Sequence, residues 1–223
     1  MYLSRSKILP NLTKETIMRI PLVLALLLTT AVASAAEQTR PMPAFNSISA
    51  QGPINIIVEV GKTQALVLKG DDKFLKRAVT KVVDGKLVIT FPKGEKNEFD
   101  SDWTINVSMP VLTSFQIEGA GSAELRNIQG DKVDLGFQGA GRLVASGKVR
   151  QLRLNAQGIG DVDTKALLAQ DADVHFEGIG AVKIYASQKL DAVVQGMGSL
   201  NYYGNPSQVT KKIDGIGSVN AGG

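Results

Sequence analysis

Apolar and polar residues alternate along much of the chain, and in its second half the alternation is tied to a recurring Gly-x-Gly motif. The motif falls at Gly119 and Gly121, Gly139 and Gly141, Gly158 and Gly160, Gly178 and Gly180, Gly196 and Gly198, and Gly215 and Gly217. Successive motifs lie 20, 19, 20, 18 and 19 residues apart. Two positions before them come Ile117, Phe137, Ala156, Phe176, Val194 and Ile213, and two after them Ala123, Leu143, Val162, Val182, Leu200 and Val219. Apolar residues at every second position have the period of a strand with one buried face; on a helix they would form a girdle instead of a stripe. The residue between the glycines is apolar each time: Ala120, Ala140, Ile159, Ile179, Met197 and Ile216. The residue before each motif is polar (Glu118, Gln138, Gln157, Glu177, Gln195 and Asp214), and parity turns it outward. The glycines are read on the outward parity too, as pivots of bends that other residues cannot adopt.

Each unit of about 19 residues thus reads as a strand, a glycine-pivoted bend, a second strand and a looser turn. The looser turns are expected near Asn127–Gly130, Ser146–Lys148, Gln170–Ala172, Ser187–Lys189 and Gly204–Ser207. One such unit cannot bury its own apolar face, whereas units stacked in register can. The expected class is all-β, a parallel β-helix (solenoid) with coils marked by Gly-x-Gly bends, and five steps give a rod of roughly 24 Å. A propeller needs blades of about 40 residues, and a sandwich of hairpins does not demand so constant a period.

The first half is less regular. Ile54, Ile56, Val58 and Val60 alternate, and Leu66 and Leu68 follow after Gly61-Lys62. Residues 72–79 are expected to form a short helix capped by Asp71 or Asp72. Asp84-Gly85 predicts a turn before Leu87, Ile89 and Phe91, residues 92–102 a charged loop, and Trp103, Ile105, Val107 and Met109 a resumed strand. This part reads as non-identical β-units or a capping β-layer, since one end of a stack must shield an open sheet edge.

Charge and the N-terminus change the picture. Of the formal net charge of +4, Arg5, Lys7, Lys14 and Arg19 precede an apolar run, Ile20 to Val32, that ends in Ala33-Ser34-Ala35. A basic region, a short apolar core and a small-x-small site form the pattern of a secretory signal peptide. The run is shorter than the roughly 20 residues of a spanning helix, the feature of the rival reading as an N-terminal anchor. Met18 is an alternative start to Met1. The expected organisation is a signal peptide at 1–35, removed after Ala35, a flexible lead-in at 36–44, and one domain at 45–223. Within that domain 45–112 is irregular and 113–220 holds the regular coils. The expected location is periplasmic or secreted, with no transmembrane anchor after cleavage. Removal of the leader leaves 21 basic against 20 acidic residues, which withdraws electrostatic support for nucleic acid as a partner.

Phe45-Asn46-Ser47-Ile48, Gly52-Pro53-Ile54-Asn55-Ile56, Gly70-Asp71-Asp72 and Val83-Asp84-Gly85-Lys86-Leu87-Val88-Ile89 together resemble the opening of the head GIN domain family. Its members are exported bacterial proteins described as putative autotransporter adhesins, and the serial Gly-x-Gly units resemble the family's second half. The resemblance covers about residues 44–220. It implies a right-handed parallel β-helix related in shape to pectin lyases, without their catalytic residues, and a role in adhesion that no motif carries. The chain has no room for a translocator barrel of at least eight strands of about 10 residues, so it is not expected to be a self-sufficient autotransporter.

Composition removes much chemistry. There is no cysteine, hence no disulfide, thiolate metal site or cysteine nucleophile, and the single histidine, His175, disfavours multi-histidine zinc sites and serine–histidine chemistry. Nucleotide-binding glycine loops occur once, between a strand and a helix N-terminus, whereas these motifs recur six times between strands and read as structural. No cofactor and no metal is expected. Asp161 with Asp163, and Asp171 with Asp173, put carboxylate pairs on one strand face, where calcium or glycan acid–base chemistry is the minor reading; Lys183 and Arg142 could adjoin Asp161. Glu98 to Asp102 reads as a solvated turn, and His175 as a surface residue. The outward ladder Glu118, Gln138, Gln157, Glu177, Gln195 and Asp214 reads first as stacked structural support and second as a binding strip. Rings for sugar stacking are scarce: Trp103, Tyr185, Tyr202 and Tyr203, with Tyr202 on the inward parity. The leading expectation is an exported, non-enzymatic envelope or surface protein, an adhesin or interaction module whose partner is a surface glycan or envelope protein. The alternatives are a small polysaccharide lyase or hydrolase, and a periplasmic scaffold that forms homo-oligomers.

Overall fold

Alternating side chains produce strands almost everywhere in the computed structural model, which describes residues 36–92 and 103–222. The chain divides into two units, residues 1–33 and 34–223. Residues 1–35, with the expected signal peptide and the rival anchor, lie outside the described residues, as do 93–102 with the turn at Glu98 to Asp102. The elements are β1 (Ala36–Thr39), β2 (Ser47–Gln51), β3 (Ile54–Val60), β4 (Ala65–Gly70), α1 (Asp72–Arg77), β5 (Val79–Val83), β6 (Lys86–Thr90), β7 (Thr104–Met109), β8 (Ser114–Tyr203), β9 (Gln208–Gly215) and β10 (Ser218–Ala221).

The strands join one sheet in the order β1-β4-β7-β3-β8-β2-β6-β5, with β9 and β10 each paired to β8. The pairs β2–β6, β2–β8, β3–β7, β3–β8, β8–β9 and β8–β10 are parallel, and β1–β4, β4–β7 and β5–β6 are antiparallel. This corrects the right-handed parallel β-helix (solenoid) expected from the glycine period: the sheet is mixed and is not closed. The chain reverses between β3 and β4, after Gly61, and again at Asp84-Gly85, where both residues take positive φ in the hairpin turn joining β5 to β6. No all-parallel architecture admits such reversals.

The regular half differs as well. Residues 114–203 form one unbroken 90-residue strand, so the looser turns expected at 127–130, 146–148, 170–172 and 187–189 lie inside β8; only 204–207 separates two strands. A straight strand of that length would measure about 300 Å. Instead β8 returns on itself. A Cβ placed on Gly139 would lie 2.0 Å from the carbonyl oxygen of Gly119, one on Gly158 2.1 Å from that of Gly139, and one on Gly178 1.9 Å from that of Gly158. Ten of the twelve motif glycines take positive φ, all but Gly198 and Gly217. Their outward reading is corrected: alternation runs unbroken through the motif, so the residue between the glycines faces outward and the glycines abut the neighbouring backbone.

The inward face holds the core. Ile48 and Ala50 align with Phe115 and Ile117, and Ile56 and Val58 with Ala123 and Leu125, all buried. At the N-terminal end Asp71 caps α1, its carboxylate accepting from the Phe74 amide at 2.7 Å. The helix drops Phe74 against Trp103 and Phe91, at centroid separations of 5.1 and 5.8 Å. The segment 36–44, expected to be loose, is held: β1 pairs with β4, and Arg40 donates to the carbonyls of Leu75 and Ala78. Burial of that guanidinium lowers its pKa from the usual value.

Candidate functional site

The outward residues of β2 and the first turns of β8 enclose a groove of about 440 Å³. Its walls carry Gln51, Gln116, Gln138, Asn155 and Gln157 with Glu118, Asp134 and Arg153, over the buried Ala50, Ile117, Leu135 and Phe137. The depression has a local cause. Gly136 sits between inward Leu135 and Phe137, where alternation would place an outward side chain; a Cβ there would meet the Cγ of Gln116 at 3.2 Å. Gly136 is absent from the positive-φ positions, so its value lies in the missing side chain and not in backbone freedom.

Two charged groups of the groove have partners. Glu118 accepts from the Gln51 amide at 3.1 Å, and Arg153 lies 3.7 Å from Asp173. Asp134 is half satisfied: its Oδ2 lies 3.3 Å from Lys132, while its Oδ1 is buried with no hydrogen-bond partner among the described residues. A buried acceptor left unpaired costs about 1–3 kcal/mol.

The structure sorts the other sequence candidates. Glu118, Gln138 and Gln157 reach the groove. Glu177 meets Gln157 at a second, shallower depression beside Ile159 and Ile179, and Gln195 aligns with Asp214 farther along. Gln51, missed in the sequence, starts the ladder: Gln51-Gly52 aligns with Glu118-Gly119, and Ile54 takes the place matching Gly121. The dipeptide Gln51-Gly52 was the available signal, hidden because 67 residues separate it from its partner.

Lys183 pairs with Asp163 at 3.6 Å, not with Asp161, and Arg142 acts on Glu124. Asp173 is taken by Arg153. Among the described residues no group of three or more histidines and carboxylates gathers as a metal site. His175 is half-buried. Trp103, offered as a stacking ring, is buried against Phe74; Tyr202 packs on the core, Tyr185 is half-buried, and Lys165 sits 3.8 Å over the ring of Tyr203. Electrostatic shifts lie outside the groove. Hydrogen bonds from Arg126, Arg150 and Lys189 hold Glu124, Asp131 and Asp191 below their usual pKa values.

With this geometry in place, three comparisons bear on identity. The family model described as putative auto-transporter adhesin, head GIN domain, matches residues 44–206. A putative adhesin from Bacteroides fragilis NCTC 9343 shares 22% identity over 85% of this chain and 97% of its own, with a TM-score of 0.65. That likeness speaks to the fold alone. A putative lipid binding protein from Parabacteroides distasonis ATCC 8503 (18% identity, 86% and 98% coverage) and a putative adhesin from Parabacteroides merdae ATCC 43184 (16%, 86% and 98%) both have TM-scores of 0.49, too low to bear on fold or function. No curated protein sequence matches the chain.

Proposed function

The chain belongs to the family described as putative auto-transporter adhesin, head GIN domain, and from that premise we propose that it is an exported, adhesin-like surface protein that binds a hydroxyl-rich polymer, an envelope or surface glycan, through the Gly136 groove. Family membership supports the adhesin-like reading; among the described residues no helix is long and apolar enough to cross a membrane. The groove carries the finer part of the proposal. Amides that donate and accept, with carboxylates and one guanidinium, match the mixed donor–acceptor rim of a sugar, and the apolar floor matches its C–H face. The half-exposed Asp134 carboxylate adds an acceptor to the groove wall for a sugar hydroxyl. Binding without cleavage is the reading, because the family is described by adhesion.

The test is retention of the purified protein on immobilised envelope polysaccharides, with released sugars assayed in the same wells. Gly136→Leu, which fills the groove without backbone strain, and Asp134→Ala are each expected to cut retention at least about tenfold, the effect of about 1.4 kcal/mol. Folding of both variants is checked by circular dichroism. Undiminished retention by both would remove the groove from the proposal, and sugar release by the parent protein would replace adhesion with an enzyme.

A further inference from the structure

The sixth motif lacks the cover that its predecessors have. Two residues before the first five motifs, Ile117, Phe137, Ala156, Phe176 and Val194 are at most 6% exposed, whereas Ile213 is 44% exposed. Strand β9 pairs through one edge with residues 189–196 of β8, and no strand among the described residues pairs with its other edge. All eight of its residues are exposed, and Val209 and Ile216 lie exposed near Ile213 in the chain. The free edge of β9 therefore presents apolar side chains together with a row of unpaired backbone donors and acceptors, the arrangement that accepts another strand. Lys211 and Lys212 on that edge discourage indiscriminate pairing, so an occupant must answer their charge.

We propose that the occupant is the same edge of a second copy of this chain, paired antiparallel in a register centred on Ile213. In that register Ile213 faces the partner's Ile213, Lys212 faces the partner's Asp214, and Asp214 faces the partner's Lys212. Opposed residues keep the same pleat parity, as antiparallel pairing requires. Neighbouring registers are worse: centring between Lys211 and Lys212 opposes lysine to lysine twice, and centring on Lys212 opposes it to itself. Lys211 is already tethered within its own protomer, its ammonium donating to the Val219 carbonyl at 3.2 Å. The strand is thus self-complementary in charge in one register, which is what a two-fold, isologous contact needs. The surface is distinct from the Gly136 groove and leaves it open. A contact of one strand edge sits at the small end of specific interfaces, so dissociation at about 10–100 μM is expected.

Sedimentation velocity of the full chain from low micromolar to several hundred micromolar tests this. A concentration-dependent monomer–dimer equilibrium is expected. Lys212→Asp alone and Asp214→Lys alone should each abolish it, because each opposes like charges. Mixing the two variants should restore a dimer, since one strand then carries both acids and the other both bases; restoration also shows that neither variant failed by misfolding. A monomer at every concentration would overturn the proposal. So would a dimer indifferent to both reversals, or open-ended polymers, which would require a head-to-tail contact with another edge such as β5.

Discussion

Gly158→Ala isolates what the close backbone approach at the motif glycines requires. Gly158 has φ +119°, a conformation closed to L side chains, and an added Cβ would stand 2.1 Å from the carbonyl oxygen of Gly139 and 2.9 Å from its carbon. Strain of a residue held in that region costs about 1–3 kcal/mol. Relief of the clash needs the backbone to move by about 1 Å away from the Gly139 backbone that it abuts, which breaks hydrogen bonds on either side. Gly158 is pinned from the other side too, since its own carbonyl oxygen lies 1.9 Å from where a Cβ on Gly178 would fall. Hydrogen bonds lost by two half-buried backbone groups add about 1–3 kcal/mol, at 0.5–1.5 each. The combined loss, about 2–6 kcal/mol, is a large part of the whole stability of a typical domain, about 5–15 kcal/mol. Gly130→Ala is the matched control. Gly130 also has positive φ, +150°, but a Cβ there meets nothing within 4 Å, so only the strain of about 1–3 kcal/mol applies. Gln157→Ala, beside the bend, should stay within about 0.5 kcal/mol. Urea unfolding followed by circular dichroism reads all three. Equal losses for Gly158→Ala and Gly130→Ala would refute the close-approach reasoning and leave the motif glycines explained by φ alone.

Three further outcomes follow from the same geometry. Phe74→Ala, which empties the fully buried ring site between Trp103 and Phe91, should cost about 3–5 kcal/mol in urea unfolding, far more than Phe91→Ala at the partly exposed rim. Arg40→Met should release the lead-in, seen as faster amide exchange across 36–40 while the amides of β8 keep their protection. Glu124, Asp131 and Asp191 have folded-state pKa values below the usual 4.5, 3.8 and 3.8, so their contribution is present above those values and is lost as pH falls through them towards the lower folded values. The thermal midpoint should therefore fall as pH drops below about 5, and less steeply in high salt because the pairs are exposed; an acid limb indifferent to salt would count against these pairs as its origin.

The groove and the open end show where sequence reading stops. Gln51 and Glu118 are hydrogen-bonded neighbours 67 residues apart, and nothing in a 19-residue period joins them. Gly136 passed unnoticed because a glycine matters there for an absent side chain, visible only once Gln116 stands across from it. Ile159, Ile179 and Met197 are exposed although apolar; parity alone would have shown this, since each lies at an odd offset from the buried residues flanking its motif. Ile213 carries the same local signal as Val194, yet one is exposed and the other buried, because burial there depends on whether another strand lies on top.

By itself the sequence determined the local facing of side chains: strands at β3, β4, β6 and β7, the Asp71-capped helix, the Asp84-Gly85 reversal, and the buried positions flanking the first five motifs. These follow from period-2 alternation, capping and turn chemistry, which act over a few residues. Only the tertiary structure decided the strand order, the antiparallel pairs that make the sheet mixed, the unbroken run of β8 and the groove at Gly136. Alternation states which way a side chain points, but a strand edge offers the same donors and acceptors to every other edge, so its partner is chosen by chain reversals and packing that no local pattern records.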